Sequence, residues 1–180
     1  MFQAYQRLLS KLDESVARIE KLHGAYLTCH KGCADCCNDI LTFYRVEIDS
    51  IVEYLREIDA AEREQILAGL KQFRADGMRH PCPMLDEGGN CRIYSARPLL
   101  CRSHGLLFNV SETAGSVEIE RSCDLNYNEV ILCEIPVSET LNQRLLSMLL
   151  IQVNALYCTE NSYDPEKRHE LSEIPELMED

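Results

Sequence analysis

The sequence predicts a mainly α fold, α+β at most, in one helical domain organised around an irregular, cysteine-rich loop region. Three observations predict it. Apolar residues recur at spacings of three and four through the long flanking stretches. The candidate strands amount to two short runs. Between His80 and Asn126 the helical period is broken by Pro81, Pro83, Gly88, Gly89, Pro98, Gly105 and Gly115, while cysteines return at Cys82, Cys91, Cys101 and Cys123.

From Phe2 to Tyr26, Tyr5, Leu8, Leu9, Leu12, Val16, Ile19 and Leu22 fall on one helical face, a long amphipathic helix that covers a core. Gly24 loosens its end. Lys31-Gly32-Cys33 then reads as a turn, in which glycine permits a tight path that brings backbone amides toward sulfur. After Cys37, the residues Tyr44, Ile48, Ile51, Val52, Leu55 and Ile58 resume the helical period. Asp59-Ala60-Ala61-Glu62 caps a second helix carrying Ile66, Leu67, Leu70 and Phe73, and this hairpin ends near Asp76-Gly77. Arg97-Pro98-Leu99-Leu100-Cys101 starts a short helix, and Leu106-Leu107-Phe108 can pair with Val117-Glu118-Ile119 as one short β-hairpin.

Ser138 to Tyr157 is the most apolar helix, expected to cross the core with Leu141, Leu145, Met148, Leu149, Gln152 and Leu156 on one stripe. Beyond Thr159, acidic residues outweigh Lys167 and Arg168, so the domain is expected over 1–158, with 159–180 an acidic, solvated, flexible tail.

Composition removes several functions. A net charge of −12 disfavours a nucleic-acid backbone or an anionic membrane as partner, because both require clustered Lys and Arg. The most apolar run, Leu145 to Ile151, is far shorter than the roughly 20 residues that span a bilayer, and the N-terminus lacks the apolar core of a secretion signal. The expected setting is a reducing cytoplasm, where ten cysteines serve as thiolate ligands and core thiols rather than as a disulfide framework.

Four of those cysteines, Cys29, Cys33, Cys36 and Cys37, fall within nine residues. Thiolate is the metal-binding form of cysteine, and thiols two or three residues apart on one turn converge readily on a soft cation. Neighbouring Cys36 and Cys37 are expected to point in different directions, so that one can serve a second metal or a second face of a cluster. A later loop adds Cys82, Cys91 and Cys101, with Arg92, Arg97 and Arg102 beside them. A divalent ion with four thiolates carries about two excess negative charges, which these arginines would offset. Cys123 follows Arg121-Ser122 in the same irregular region and brings the candidate ligands to eight. His104 is more simply a polar residue than a ligand, and Cys133 and Cys158 sit in apolar or helical contexts where cysteine behaves as a small hydrophobe. Tyr94 is read as packing.

The order C-x3-C-x2-C-C, then C-P-x-L, then C-x-I-Y-x-x-R-P-x-x-C-R, from Cys29 to Arg102, resembles the YkgJ or CxxCxxCC cysteine-cluster family of small bacterial proteins, described as zinc- or iron-chelating. The resemblance implies Cys29, Cys33, Cys36, Cys37, Cys82, Cys91 and Cys101 as metal ligands and Arg97-Pro98 as the supporting motif. It says little about any reaction. Flagellin lysine methylases are similar in the cysteine motif, but this chain has no glycine-rich methyl-donor loop and is short for such an enzyme. The loop spacing is also similar to that of radical-SAM enzymes, which need repeated strand–helix units.

Zinc and iron, including an iron–sulfur cluster, are both compatible with the thiol set. The favoured reading is a metal-binding module in a structural or metal- and redox-handling role, with an unknown protein partner left open. The alternative is a cluster-dependent enzyme, or accessory subunit, of redox or methylation-like protein modification. No Ser/His/Asp set, phosphate loop or paired-carboxylate motif stands out.

Overall fold

The computed structural model describes residues 2–30, 32–38, 41–75, 81–111 and 116–179, the side chains of 74 and 75 excepted. It is mainly helical with a small sheet, as expected. The chain forms two compact units, each assembled from separated stretches: 1–2, 31–98 and 154–180 in one, 3–30 and 99–153 in the other. Among the described residues, no helix is long and apolar enough to cross a membrane.

In the first unit, helix α2 (Arg45–Glu57) buries Ile48, Ile51, Val52 and Leu55 of the face the periodicity marks, and Val46 besides. Each such side chain contributes roughly 1.5–3 kcal/mol by leaving water. The start of α2 is fixed by polar groups. Glu47 Oε2 accepts the Tyr44 N–H at 3.0 Å, and buried Asn154 Oδ1 accepts the Val46 N–H at 3.2 Å. Helix α3 (Ala60–Ala75) begins at the expected cap, where Asp59 Oδ1 accepts the Ala61 and Glu62 N–H groups at 2.9 and 3.2 Å. It buries Ile66 and Leu70. The expected stop at Asp76-Gly77 lies outside the described residues.

The end of the chain departs from the expectation of a solvated tail. The Phe43–His169 bridge, the 3-10 turn Leu171–Glu173 and a short terminal helix (Ile174–Leu177) fold onto this unit, with contacts to α2 and α3. His169 is buried and Ile174 is fully buried. The acidic residues here face outward around a few apolar anchors, which a count of charges does not reveal.

In the second unit, helix α1 (Gln3–His23) buries Tyr5, Leu8, Leu12, Ile19 and His23, whereas Leu22 is exposed. A 3-10 turn at Gly24–Tyr26 follows. Helix α4 (Leu99–Ser103) packs on α1. Strand β1 (Leu107–Asn109) pairs antiparallel with β2 (Ile119–Arg121), Phe108 opposite Glu120, which is the expected hairpin displaced by one to two residues. A third strand, β3 (Leu141–Asn142), runs parallel to β1 on its other edge in the order β2-β1-β3. It occupies the start of the stretch expected to be helical.

Helix α5 (Gln143–Asn161) gives its first part to the second unit and its last part to the first. Its buried face is Leu150, Asn154, Tyr157 and Cys158, while Leu145, Met148 and Leu156 of the expected core stripe are about half exposed and Gln152 is exposed. The correction has a physical reason. Both faces of α5 carry apolar residues, so periodicity alone cannot choose between them, and the choice follows the polar contacts of Asn154, whose Nδ2 also donates to the Pro165 carbonyl at 2.9 Å.

Candidate metal centre

Two loops distant in sequence are joined backbone to backbone. Asp35–Asn38 forms a 3-10 turn, with the Cys37 N–H on the Ala34 carbonyl at 2.9 Å. The Cys82 N–H then donates to the Cys37 carbonyl at 2.8 Å, tying the second loop directly to the last thiol of the first. Gly32 and Gly89 have φ of +90° and +76°. A Cβ on Gly89 would sit 2.9 Å from the Gly32 carbonyl oxygen, a contact that only glycine permits.

The second loop is itself a small hairpin. The Leu85 N–H donates to the Cys82 carbonyl (3.1 Å), the Arg92 N–H to the Met84 carbonyl (2.8 Å), and Leu85 bridges Cys91. Its tip is held by Asp86, whose Oδ1 accepts the Gly88 and Asn90 N–H groups at 2.9 and 2.8 Å. These bonds keep the Asp86 carboxyl below its usual range. Cys82 and Cys91 therefore stand at the two ends of one hairpin. Each sulfur accepts the backbone N–H two residues on, from Met84 and Ile93 respectively.

The thiols are close enough to act on one another. Cys36 and Cys37 hydrogen-bond through their side chains, and this contact, with burial and the Cys37 charge, drives the Cys36 thiol far up. The expectation that the two side chains diverge is thus corrected: the two cysteines share one 3-10 turn and interact, and neither forms a disulfide. Burial also raises Cys82, whose sulfur feels Cys91 and Cys36, and it raises Cys91, whose sulfur feels Cys36. The Arg97 charge opposes the rise at Cys36 and Cys91. Raised thiols are neutral at physiological pH, so a metal bound here must displace protons.

The donor chemistry suits a soft cation: thiols from two loops, N–H donors on two sulfurs, and a cation beside them. Among the described residues, no three Cys, His, Asp or Glu side chains yet converge on a metal-sized point. Pairwise interactions link Cys36 with Cys37, Cys82 and Cys91, and Cys82 with Cys91.

The other candidates are distributed as follows. Cys33 lies in the first unit, half-buried. Cys29, exposed, and Cys101 and Cys123, half-buried, belong to the second unit, where sequence reading overlooked an organising residue. Asn126 is 1% exposed. Its Oδ1 accepts the Thr28 and Cys29 N–H groups at 2.9 and 3.2 Å, its Nδ2 donates to the Gly105 carbonyl at 2.7 Å, and its own N–H reaches the Cys123 carbonyl at 3.3 Å. Through its side-chain amide and its backbone N–H, this one residue pins the segments carrying Cys29 and Cys123 and the turn after His104. An Asn after a cysteine-bearing turn was the available signal. Cys133 is exposed rather than packed, Cys158 is fully buried as expected, and Tyr94 is exposed rather than packed.

Fold and thiol cluster together define a small, mainly helical protein with a soft-donor site. The family model "CxxCxxCC: Putative zinc- or iron-chelating domain" matches residues 28–135, and the chain belongs to this family. No curated protein and no solved structure matches the chain.

Proposed function

We propose that the protein chelates zinc or iron through a thiolate centre nucleated by Cys36, Cys37, Cys82 and Cys91, in a structural or metal- and redox-handling role rather than in substrate turnover. Cys29, Cys33, Cys101 and Cys123 are the further candidate ligands of this reading. The observation that supports it is the backbone hydrogen bond from the Cys82 N–H to the Cys37 carbonyl, which joins the two cysteine loops, with Cys36 acting on Cys37, Cys82 and Cys91. The bound metal would supply Lewis acidity or redox capacity. The chain itself supplies soft donors, amide N–H groups that hold charge on sulfur, and a compensating cation.

The test is elemental analysis for zinc, iron and acid-labile sulfide, with an absorption spectrum, on protein purified without oxygen. One or two colourless zinc ions identify a structural centre. Matching iron and sulfide with broad absorption near roughly 400 nm identify an iron–sulfur protein. In either case Cys91→Ser should lower the metal content, and a wild-type protein that holds neither metal sinks the reading.

A further inference from the structure

The second unit holds a chain of three titratable side chains that the thiol chemistry does not use. At the end of α1, His23 Nδ1 lies 3.0 Å from the Tyr127 hydroxyl, and His23 Nε2 lies 2.9 Å from Glu139 Oε2. His23 and Tyr127 are almost wholly buried, whereas the Glu139 side chain is 31% exposed. The donor directions follow from the groups themselves. A carboxylate only accepts, so Nε2 carries the imidazole hydrogen toward Glu139, and Nδ1 is the bare nitrogen that accepts the Tyr127 O–H. Tyr127 also has a φ of +58°, a left-handed conformation that is costly for a bulky residue and is kept only where the surroundings hold it. Here its N–H donates to the Tyr26 carbonyl at 2.9 Å, and its carbonyl accepts from Arg121 Nη1 at 3.4 Å. The Tyr26 ring, which is exposed, lies 6.2 Å from the Tyr127 ring, centre to centre.

No substrate reaches a phenol buried to this degree, so the relay can pass protons and electrons but cannot form bonds to a ligand. Burial, with the Glu20 carboxylate nearby, pushes the Tyr127 phenol up to about 12, and it keeps its proton at physiological pH. A neutral phenol yields an electron readily only where a base takes its proton in the same step. The bare His23 Nδ1 is placed to take it, and the imidazolium so formed is paired at once with Glu139. We propose that Tyr127 is a redox-active tyrosine, oxidised by one electron with His23 as proton acceptor and Glu139 as counter-ion. The electron leaves through the Tyr26 ring to a diffusible one-electron oxidant at the surface, which is thereby reduced. The Tyr127 O–H bond breaks and an Nδ1–H bond forms, leaving a neutral tyrosyl radical beside an imidazolium–carboxylate pair. Return of the electron reverses each change. No cysteine and no metal takes part, so the inference stands apart from the metal reading.

The experiment is flash photolysis of the reduced full-length protein with photogenerated tris(bipyridine)ruthenium(III) as oxidant. The tyrosyl radical is followed by its absorption and by electron paramagnetic resonance of samples frozen after the flash. Wild type should give a persistent tyrosyl signal that forms more slowly in D2O, because the proton moves with the electron. Tyr127→Phe, which keeps the ring, should lose that signal. His23→Gln can still accept the phenol hydrogen bond but cannot take its proton, so the radical should form about 100-fold more slowly, the order of effect of a positioned base. Glu139→Gln leaves the imidazolium unpaired and should slow formation as well. Tyr94→Phe, which removes a tyrosine 64% exposed and outside the relay, should behave as wild type. Far-UV circular dichroism separates these effects from misfolding, and Glu139→Gln, at the more exposed end of the relay, carries the comparison should His23→Gln not fold. A persistent signal that survives in Tyr127→Phe overturns the inference. So does a rate that is equal in wild type and the His23 and Glu139 variants, or a wild type that forms no persistent tyrosyl radical.

Discussion

Single residues decide where the cysteine segments are held, and the most consequential of them in the second unit is not a cysteine. Asn126 satisfies two backbone N–H groups and one carbonyl from otherwise irregular chain while almost wholly buried. Asn126→Ala should therefore destabilise the protein by roughly 1–3 kcal/mol, because donors and an acceptor lose their partner inside the fold. Urea unfolding measures this. Asn126→Asp keeps an acceptor for Thr28 and Cys29 but replaces the donor to Gly105 by a buried negative charge, so it should fall below wild type as well. At this scale the ligand types were legible, because thiols cluster visibly around Cys29–Cys37 and again at Cys82 and Cys91. The geometry was not. The meeting of Cys36 with Cys37 depends on the 3-10 turn they share, and two of the arginines expected to offset thiolate charge, Arg92 and Arg102, hydrogen-bond Gln65 and Asp13.

Among the elements, α2 and α3 were readable because each has one apolar face and, for α3, a cap at Asp59. Helix α5 was readable as a helix but not in its orientation, since the decisive residue, Asn154, is polar and acts by capping α2. The terminal turn and helix were hidden for the opposite reason: a few buried anchors sit among many charges. Glu173 shows how the charges assist. Burial pushes its carboxyl up, but the Glu170 N–H at 2.9 Å, His169 Nδ1 at 3.0 Å and Lys167 at 3.7 Å outweigh it and hold the carboxyl below the ordinary 4.5. A carboxylate depressed in the folded state contributes stability that is complete above its unfolded pKa and is lost as pH falls through the folded one. The docking of 169–177 should thus weaken below about pH 4.5. The check is the drop in melting temperature between pH 7 and pH 4: it should be smaller in Glu173→Gln than in wild type, and equal drops would remove Glu173 from the account.

For the whole molecule, the helices and the cysteine-bearing loops are held by different forces. The helices bury side chains such as Ile48, Ile51, Leu55, Leu12 and Ile19, and they need no ion to do so. The segments 32–38 and 81–97 contain no α-helix and few buried apolar residues, Met84 and Ile93 chief among them. Their turns hold Cys36, Cys82 and Cys91, whose burial disfavours ionisation. A structural zinc contributes on the order of 10–16 kcal/mol in small peptides, comparable with the 5–15 kcal/mol that stabilises an entire domain. Removing the metal should accordingly cost these loops more than it costs the helices. After anaerobic treatment with a strong chelator, the far-UV spectrum should keep most of its helical signal. Amide hydrogen exchange should accelerate first at Cys37, Cys82, Leu85 and Arg92, whose N–H groups close the junction and the hairpin. Uniform acceleration across α2 and α3 as well would mean that the centre stabilises the fold globally, and unchanged exchange in the loops would mean that the turns, held by Asp86 and the paired glycines, stand without any ion.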